Sequence, residues 1–284
     1  MEIKKVGVVG CGAMGSGIAQ VCAQAGYQVA VSEINDELLN KGLASIDKFL
    51  TKGVDKGKVS PQDKDAALSR IKGTTTIKDF YDCDLVIEAA IENIELKKKI
   101  FAELDKICPK HTILASNTSS LSLIEMAVAT TRPDKMLGLH FFNPAPLMKL
   151  LEIIKTVATS DETLETARAF GKSLGKNVVT AQDTPGFIVN RLAVLYQLEA
   201  IRMLENGIAT REDIDTAITY GLGHPLGPLT LNDLVGNDVL YLIANILYEE
   251  TKNPAYASPN LLKKMVSAGW LGRKSGKGFY EYNK

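Results

Sequence analysis

No charge of either sign is in excess in this chain: 33 basic and 33 acidic residues cancel over 284 positions. Without a net field to draw in a polyanion, nucleic acid and anionic membrane surfaces are excluded as bulk partners. No apolar run approaches the ~20 residues needed to span a bilayer, and no signal peptide is read ahead of a first strand that begins near residue 3. Cysteine is sparse. The four present, Cys11, Cys22, Cys83 and Cys108, have no C-x-x-C spacing and read as reduced packing residues, so the expected location is cytoplasmic and no metal site is expected. Internal repeats and low-complexity tracts are also missing. What remains is an ordinary globular composition, 45% hydrophobic and 23% charged, on a chain long enough for two domains with separate cores.

The most informative stretch is Val6-Gly-Val-Val-Gly-Cys-Gly-Ala-Met-Gly-Ser-Gly17. A largely β-branched run reads as a strand buried on both faces, and Gly10, Gly12 and Gly15 then fit G-x-G-x-x-G. The first glycine permits a tight turn, the second lets a pyrophosphate approach the backbone, and the third lets the following helix pack against the strand. That helix is expected to start near Ala13. Its first turn, including Ala13 and Met14, would point free N–H groups and the positive dipole end at the phosphates. Gly26 is a plausible end to it, and residues 28–32 read as a second parallel strand closing on Glu33, 18 residues beyond Gly15. A carboxylate there can accept hydrogen bonds from ribose hydroxyls and would repel a 2′-phosphate. The inference is NAD rather than NADP; on the glycines alone FAD stays open.

Further strands are expected at residues 73–77, 85–88, 112–115, 136–139, 150–154 and 176–181, with helices at 36–50, from about 92 to 107, and at 161–174. The lysines from Lys41 to Lys64 read either as the solvated face of a helical hairpin or as a basic surface for a phosphorylated substrate handle. Loops leaving the carboxyl ends of parallel strands carry ligands. That places Glu92 and Lys97 near the cofactor, and the polar run Ser116-Asn-Thr-Ser-Ser120 at the same edge, where Ser120 or Ser122 could instead cap a helix. His140, at the end of an inner strand, suits proton transfer, whereas His111 and His224 lie in turns. Glu152 is a carboxylate inside an apolar strand and reads either as an outward-facing residue of an edge strand or as a buried group that requires a partner, for which an imidazole is suitable. From about residue 185 the βα alternation stops, and helices are expected at 187–204, 211–220, 230–252 and 259–268. The glycine-rich, basic tail from Gly269 to Tyr282 is either a loop closing over a ligand or a flexible end. The fold class is thus an α/β Rossmann-type domain, residues 1–184, followed by an all-α domain, residues 185–284.

Taken in order behind the nucleotide fingerprint, Ser116-Asn-Thr-Ser-Ser, Gly138-Leu-His-Phe-Phe-Asn-Pro, Leu151-Glu-Ile-Ile and Asp183-Thr-Pro-Gly-Phe-Ile-Val-Asn-Arg resemble the L-3-hydroxyacyl-CoA dehydrogenases over essentially the full length. Within that family the chain is most similar to the bacterial 3-hydroxybutyryl-CoA enzymes, since no enoyl-CoA hydratase half accompanies it. The resemblance implies His140 as the acid/base residue, Glu152 as the carboxylate that orients it, Ser119 at the substrate hydroxyl and Asn190 near the thioester. It also implies cofactor contacts at Glu92, Lys97, Asn143 and Lys274, and coenzyme A contacts near Ser45 and Lys52. The implied reaction is NAD(H)-dependent interconversion of (S)-3-hydroxybutyryl-CoA and acetoacetyl-CoA. The helical domain would bind substrate and pair two copies, giving a homodimer or a dimer-based higher oligomer. Two other readings are weighed beside it: a dehydrogenase of a hydroxy acid without coenzyme A, and a non-catalytic NAD-binding protein.

Overall fold

The structure, a computed structural model, describes residues 1–282. It divides into two compact units, Met1–Thr184 and a second from Pro185 onward.

In the first unit, β1 (Lys5–Val9), α1 (Ala13–Gln24) and β2 (Gln28–Ser32) lead into α2 (Asp36–Asp55), α3 (Pro61–Ser69) and β3 (Ile71–Thr74). Next come β4 (Leu85–Glu88), α4 (Ile94–Ile107), β5 (Ile113–Ser116), α5 (Leu123–Ala127), β6 (Met136–Phe141), β7 (Leu150–Lys155), α6 (Asp161–Ser173) and β8 (Asn177–Gln182). The strands make one eight-stranded sheet in the order β3-β2-β1-β4-β5-β6-β7-β8. This is a Rossmann-type sheet. Strand order reverses between β1 and β4, which is where such sheets open a crevice.

Alternation along the strands explains the layers. Val6 and Val8, Leu85 and Ile87, and Leu137 and Leu139 pack with residues of α1, α2 and α6 in one core, while Val9, Val86, Leu114 and Met136 pack with α4 and α5 in another. Successive strand residues point to opposite faces, so each apolar run supplies both cores.

Several expectations are corrected. The third strand ends at Thr74, because Thr76 starts a 3-10 turn at Ile77–Phe80 by accepting from the Lys78 N–H. β6 continues to Phe141, which sets His140 inside the strand instead of beyond it. β7 runs antiparallel to β6, since the short 142–149 connection cannot hold the crossover that a parallel pair needs. Ser122 precedes α5 without a side-chain cap, and Asp183 Oδ2 accepts the Ile124 N–H at 2.9 Å instead.

The second unit is all-α: α7 (Val189–Glu205), α8 (Arg211–Leu222), α9 (Pro228–Val235), α10 (Asn237–Thr251) and α11 (Asn260–Ser267) surround a core of Leu198, Ile201, Leu229, Leu247 and Leu262. The single helix expected over 230–252 is two helices, because Gly236 adopts φ 112° between them. The tail is anchored. Asp233, 1% exposed on α9, accepts the N–H groups of Phe279 and Tyr280, both at 2.9 Å, and the Tyr282 hydroxyl at 3.1 Å. Of the two readings of the tail, a flexible end is therefore set aside for the described residues. No helix among those residues is long and apolar enough to cross a membrane.

Candidate active site

The turn between β1 and α1 is built by its glycines in different ways. Gly10 sits at φ 92°, and a Cβ there would lie 2.8 Å from the Ala89 carbonyl oxygen. A Cβ on Gly15 would lie 1.9 Å from the Gly10 carbonyl oxygen, so only glycine lets α1 close onto the turn. Gly12 differs. Its backbone is extended at φ −70°, and a Cβ would meet nothing within 4 Å. The protein's own packing does not require glycine there; the space above the N-terminus of α1 is open, and a pyrophosphate in it would exclude a side chain.

Glu33 closes the other side. Its Oε2 accepts the Cys11 N–H at 2.9 Å and its Oε1 the Ile34 N–H at 2.8 Å, so the carboxylate is fixed against the turn. Both meet in a groove of about 390 Å³ whose lining includes Gly12, Ala13, Ser16, Lys41 and Ser45. These residues fit an NAD adenosine: amide donors for phosphate, and a held acceptor for ribose hydroxyls. Replacing Glu33 by serine is expected to move the ratio of NADH to NADPH activity toward NADPH by about ten- to a hundredfold, because a like charge facing a 2′-phosphate is removed. Steady-state rates with the two cofactors measure it, and an unmoved ratio contradicts this role for Glu33.

At the carboxyl ends of β4 and β5 lies a buried polar network. Glu88, Ser116 and Gly138 are cross-strand neighbours on β4, β5 and β6. Glu88 is 0% exposed; Lys97 Nζ reaches its Oε1 at 2.6 Å and Ser116 Oγ its Oε2 at 2.6 Å. Lys97, itself 1% exposed, also bonds Glu92 Oε2 at 3.1 Å and the Ala90 carbonyl at 3.3 Å. Glu92 Oε1 in turn accepts the Ser119 N–H at 3.0 Å and the Thr118 hydroxyl. Asn117 ties this loop to the next strand by accepting the Phe141 N–H at 2.9 Å.

His140 stands directly opposite Glu152 in the antiparallel register of β6 and β7, and its Nδ1 donates to Glu152 Oε2 at 2.7 Å. Both side chains are buried, the glutamate completely. A carboxylate accepting from Nδ1–H fixes the tautomer and the orientation of the ring. The Phe142 ring packs 4.6 Å from the imidazole centroid.

Of the remaining sequence-derived residues, Ser45 also lines the adenosine groove. Asn143 is exposed in the 142–149 loop, where its bond to Pro144 is cis. Ser45 and Lys52 share an exposed stripe of α2 with Lys41 and Lys48, opposite the buried Leu39, Ile46 and Leu50. In the second unit, Asn190 lies in the first turn of α7, and Lys274 pairs with Asp238 at 2.5 Å. Sequence reasoning set Ser116, Asn117 and Thr118 at this edge without giving them roles, and it missed Glu88 as part of the site. The available signal was an acid closing an apolar strand beside a polar run that closes the next.

All four cysteines are free and buried. Burial pushes the thiols of Cys11 and Cys108 up to about 11, and those of Cys22 and Cys83 up to about 12, which leaves them unreactive packing groups.

A glycine cradle at a helix N-terminus, an acceptor at the end of the second strand and a histidine–carboxylate pair beyond the switch point define the class of dinucleotide-binding oxidoreductases. Comparison with known proteins narrows it. The profile described as 3-hydroxyacyl-CoA dehydrogenase, NAD binding domain, matches residues 5–184, and the corresponding C-terminal domain matches residues 186–282. The chain is 49% identical over 282 residues to a 3-hydroxybutyryl-CoA dehydrogenase of Mycobacterium tuberculosis, covering 99% of each. It is 46% identical over 280 residues to the enzyme of that name from Clostridioides difficile, covering 99% of this chain and 100% of that one. The crystal structure of (S)-3-hydroxybutyryl-CoA dehydrogenase from Ralstonia eutropha superposes with a TM-score of 0.96 at 44% identity, with all of both chains covered. The chain therefore belongs to the 3-hydroxyacyl-CoA dehydrogenase family, as an NAD-dependent oxidoreductase.

Proposed function

We propose that this protein interconverts (S)-3-hydroxybutyryl-CoA and acetoacetyl-CoA, with His140 and Glu152 as its acid/base pair. The observation that carries the chemistry is the 2.7 Å bond between His140 Nδ1 and Glu152 Oε2 on adjacent strands. The four-carbon substrate is supported by the names of the full-length relatives. When bound, NAD supplies reversible hydride acceptance at the carbon bearing the oxygen.

The chain's own residues handle the proton and the charge. In oxidation His140 takes the C3 hydroxyl proton at Nε2, and in reduction its imidazolium returns a proton to the new alkoxide. Glu152 holds Nδ1–H throughout and balances the imidazolium, so the buried ring gains charge beside a fixed partner. Ser119 hydrogen-bonds the oxygen as it changes between hydroxyl and carbonyl. Asn190 is assigned to the thioester end of the substrate. Gly10, Gly12, Ala13, Met14, Gly15 and Glu33 are assigned to the adenosine and pyrophosphate, and Glu92, Asn143 and Lys274 to the remainder of the cofactor, on which Lys97, surrounded by Glu88, Glu92 and Ala90, acts through Glu92. Ser45 and Lys52 serve coenzyme A, whose phosphates suit the basic stripe of Lys41, Lys48 and Lys52. The second unit is assigned to substrate binding and to dimerisation, within a dimer or dimer-based oligomer.

The test is the rate of NADH oxidation with acetoacetyl-CoA beside longer 3-ketoacyl-CoA substrates. kcat/KM is expected to peak at four carbons. A steady rise with chain length would assign the protein to a longer substrate.

A further inference from the structure

We infer that Glu88 is a positioning residue for this reaction, setting the place of Ser119 through two hydrogen-bonded arms. The inference rests on the proposed contact between Ser119 and the substrate oxygen.

At the end of β4, whose other residues Leu85, Val86 and Ile87 are held by apolar burial, the Glu88 carboxylate closes its own turn by accepting the Ala90 N–H at Oε1 at 2.7 Å, and its remaining bonds reach other elements. An acid kept there at 0% exposure must be compensated at every lone pair it directs inward. The compensation leads somewhere specific. From Oε2 one arm passes to Ser116 Oγ at 2.6 Å, and that oxygen accepts the Thr118 N–H at 3.2 Å. From Oε1 the other passes through Lys97 Nζ at 2.6 Å to Glu92 Oε2 at 3.1 Å, and from Glu92 Oε1 to the Ser119 N–H at 3.0 Å. The backbone adds a third tie, from Asn117 N–H to the Glu88 carbonyl at 2.7 Å. One carboxylate thus originates two chains that finish on adjacent residues, Thr118 and Ser119, and the Thr118 hydroxyl joins them at Glu92.

Lys97 is the link in the longer arm. Its ammonium has three hydrogens, and the three oxygens of Glu88, Glu92 and Ala90 surround it. A buried cation between two carboxylates fixes both in direction, and the network as a whole has little freedom while each member is bonded. Ser119 is the outermost member of this network and the one that faces the chemistry in the proposed reaction. A small misplacement of such a group costs turnover more than binding.

The experiment is a double-mutant cycle on kcat and KM for acetoacetyl-CoA reduction, using Ser116→Ala, Glu88→Gln and Ser119→Ala singly and in combination. Ser116→Ala cuts one arm without stranding a charge, so it carries the test even if Glu88→Gln fails to fold. It is expected to lower kcat about tenfold, and Glu88→Gln about a hundredfold, with KM for NADH within about twofold for Ser116→Ala and its unfolding temperature lowered by only a few degrees, the effect of one lost buried hydrogen bond. In the Ser119→Ala background neither change should lower kcat further, because the group through which both act is already gone. Losses that add in full to that of Ser119→Ala overturn the inference, as does an unchanged kcat in Ser116→Ala. If Ser119→Ala alone keeps full kcat, the proposed contact of Ser119 fails, and this inference with it.

Discussion

His140→Gln is expected to lower kcat by about 10²–10⁴-fold while leaving the NADH dissociation constant within about twofold. Glutamine fills much of the same volume and can still hydrogen-bond toward Glu152, but it cannot exchange a proton near neutral pH. The loss should therefore fall on the chemical step. His140 lies on β6, four strands along the sheet from β2 and its Glu33, so the adenosine groove has no contact with the altered side chain. Fluorescence titration of NADH and steady-state rates with acetoacetyl-CoA measure the two halves separately. Equal losses in both would show that the histidine supports the fold instead of moving a proton.

The second large effect concerns the glycine turn, where two neighbouring substitutions should behave differently. In Gly15→Ala the new methyl would lie 1.9 Å from the Gly10 carbonyl oxygen, and backbone cannot be displaced as cheaply as the end of a side chain. Helix α1 must move away from the turn. Overpacking of this kind costs about 1–3 kcal/mol, and the distorted cradle should raise the NADH dissociation constant about a hundredfold, equivalent to ~2.7 kcal/mol. In Gly12→Ala the methyl meets no protein atom within 4 Å, so thermal unfolding should stay as it is while NADH affinity falls because the methyl projects where the pyrophosphate approaches. Calorimetric unfolding paired with NADH titration distinguishes them. Unimpaired binding in Gly12→Ala would mean that the open space serves no ligand.

The parallel half of the sheet was legible in the sequence because each of its parts is local. The β-branched run, the glycine spacing and the acid after the second strand all lie within about 30 residues, which is the scale of one βαβ unit. The pairing of β6 with β7 was less so: an apolar strand reads the same in either direction, and only the short connection between them forces the antiparallel register. That register is what sets Glu152 across from His140, so the need of the glutamate for a partner could be read, but not its geometry. Glu88 was passed over for a related reason. Its partners Ser116 and Lys97 come from β5 and α4, and nothing in the spacing along the chain links them. The break at Gly236 was hidden inside a run with continuous helical periodicity, where an isolated glycine is often tolerated. The anchoring of the tail by Asp233 joins residues too far apart for any local pattern. For Asn190 and Lys274 the residues themselves offered little, and their assignments came from the family resemblance.

Action of this NAD-linked enzyme at C3 of a coenzyme A thioester is tested most directly by comparing NADH oxidation with acetoacetyl-CoA and with free acetoacetate at equal concentration. Rapid turnover of the thioester, with the free acid slower by at least about a hundredfold, is the predicted result, since binding of the coenzyme A portion contributes to positioning the reacting carbon. Equal rates with the two substrates would contradict it.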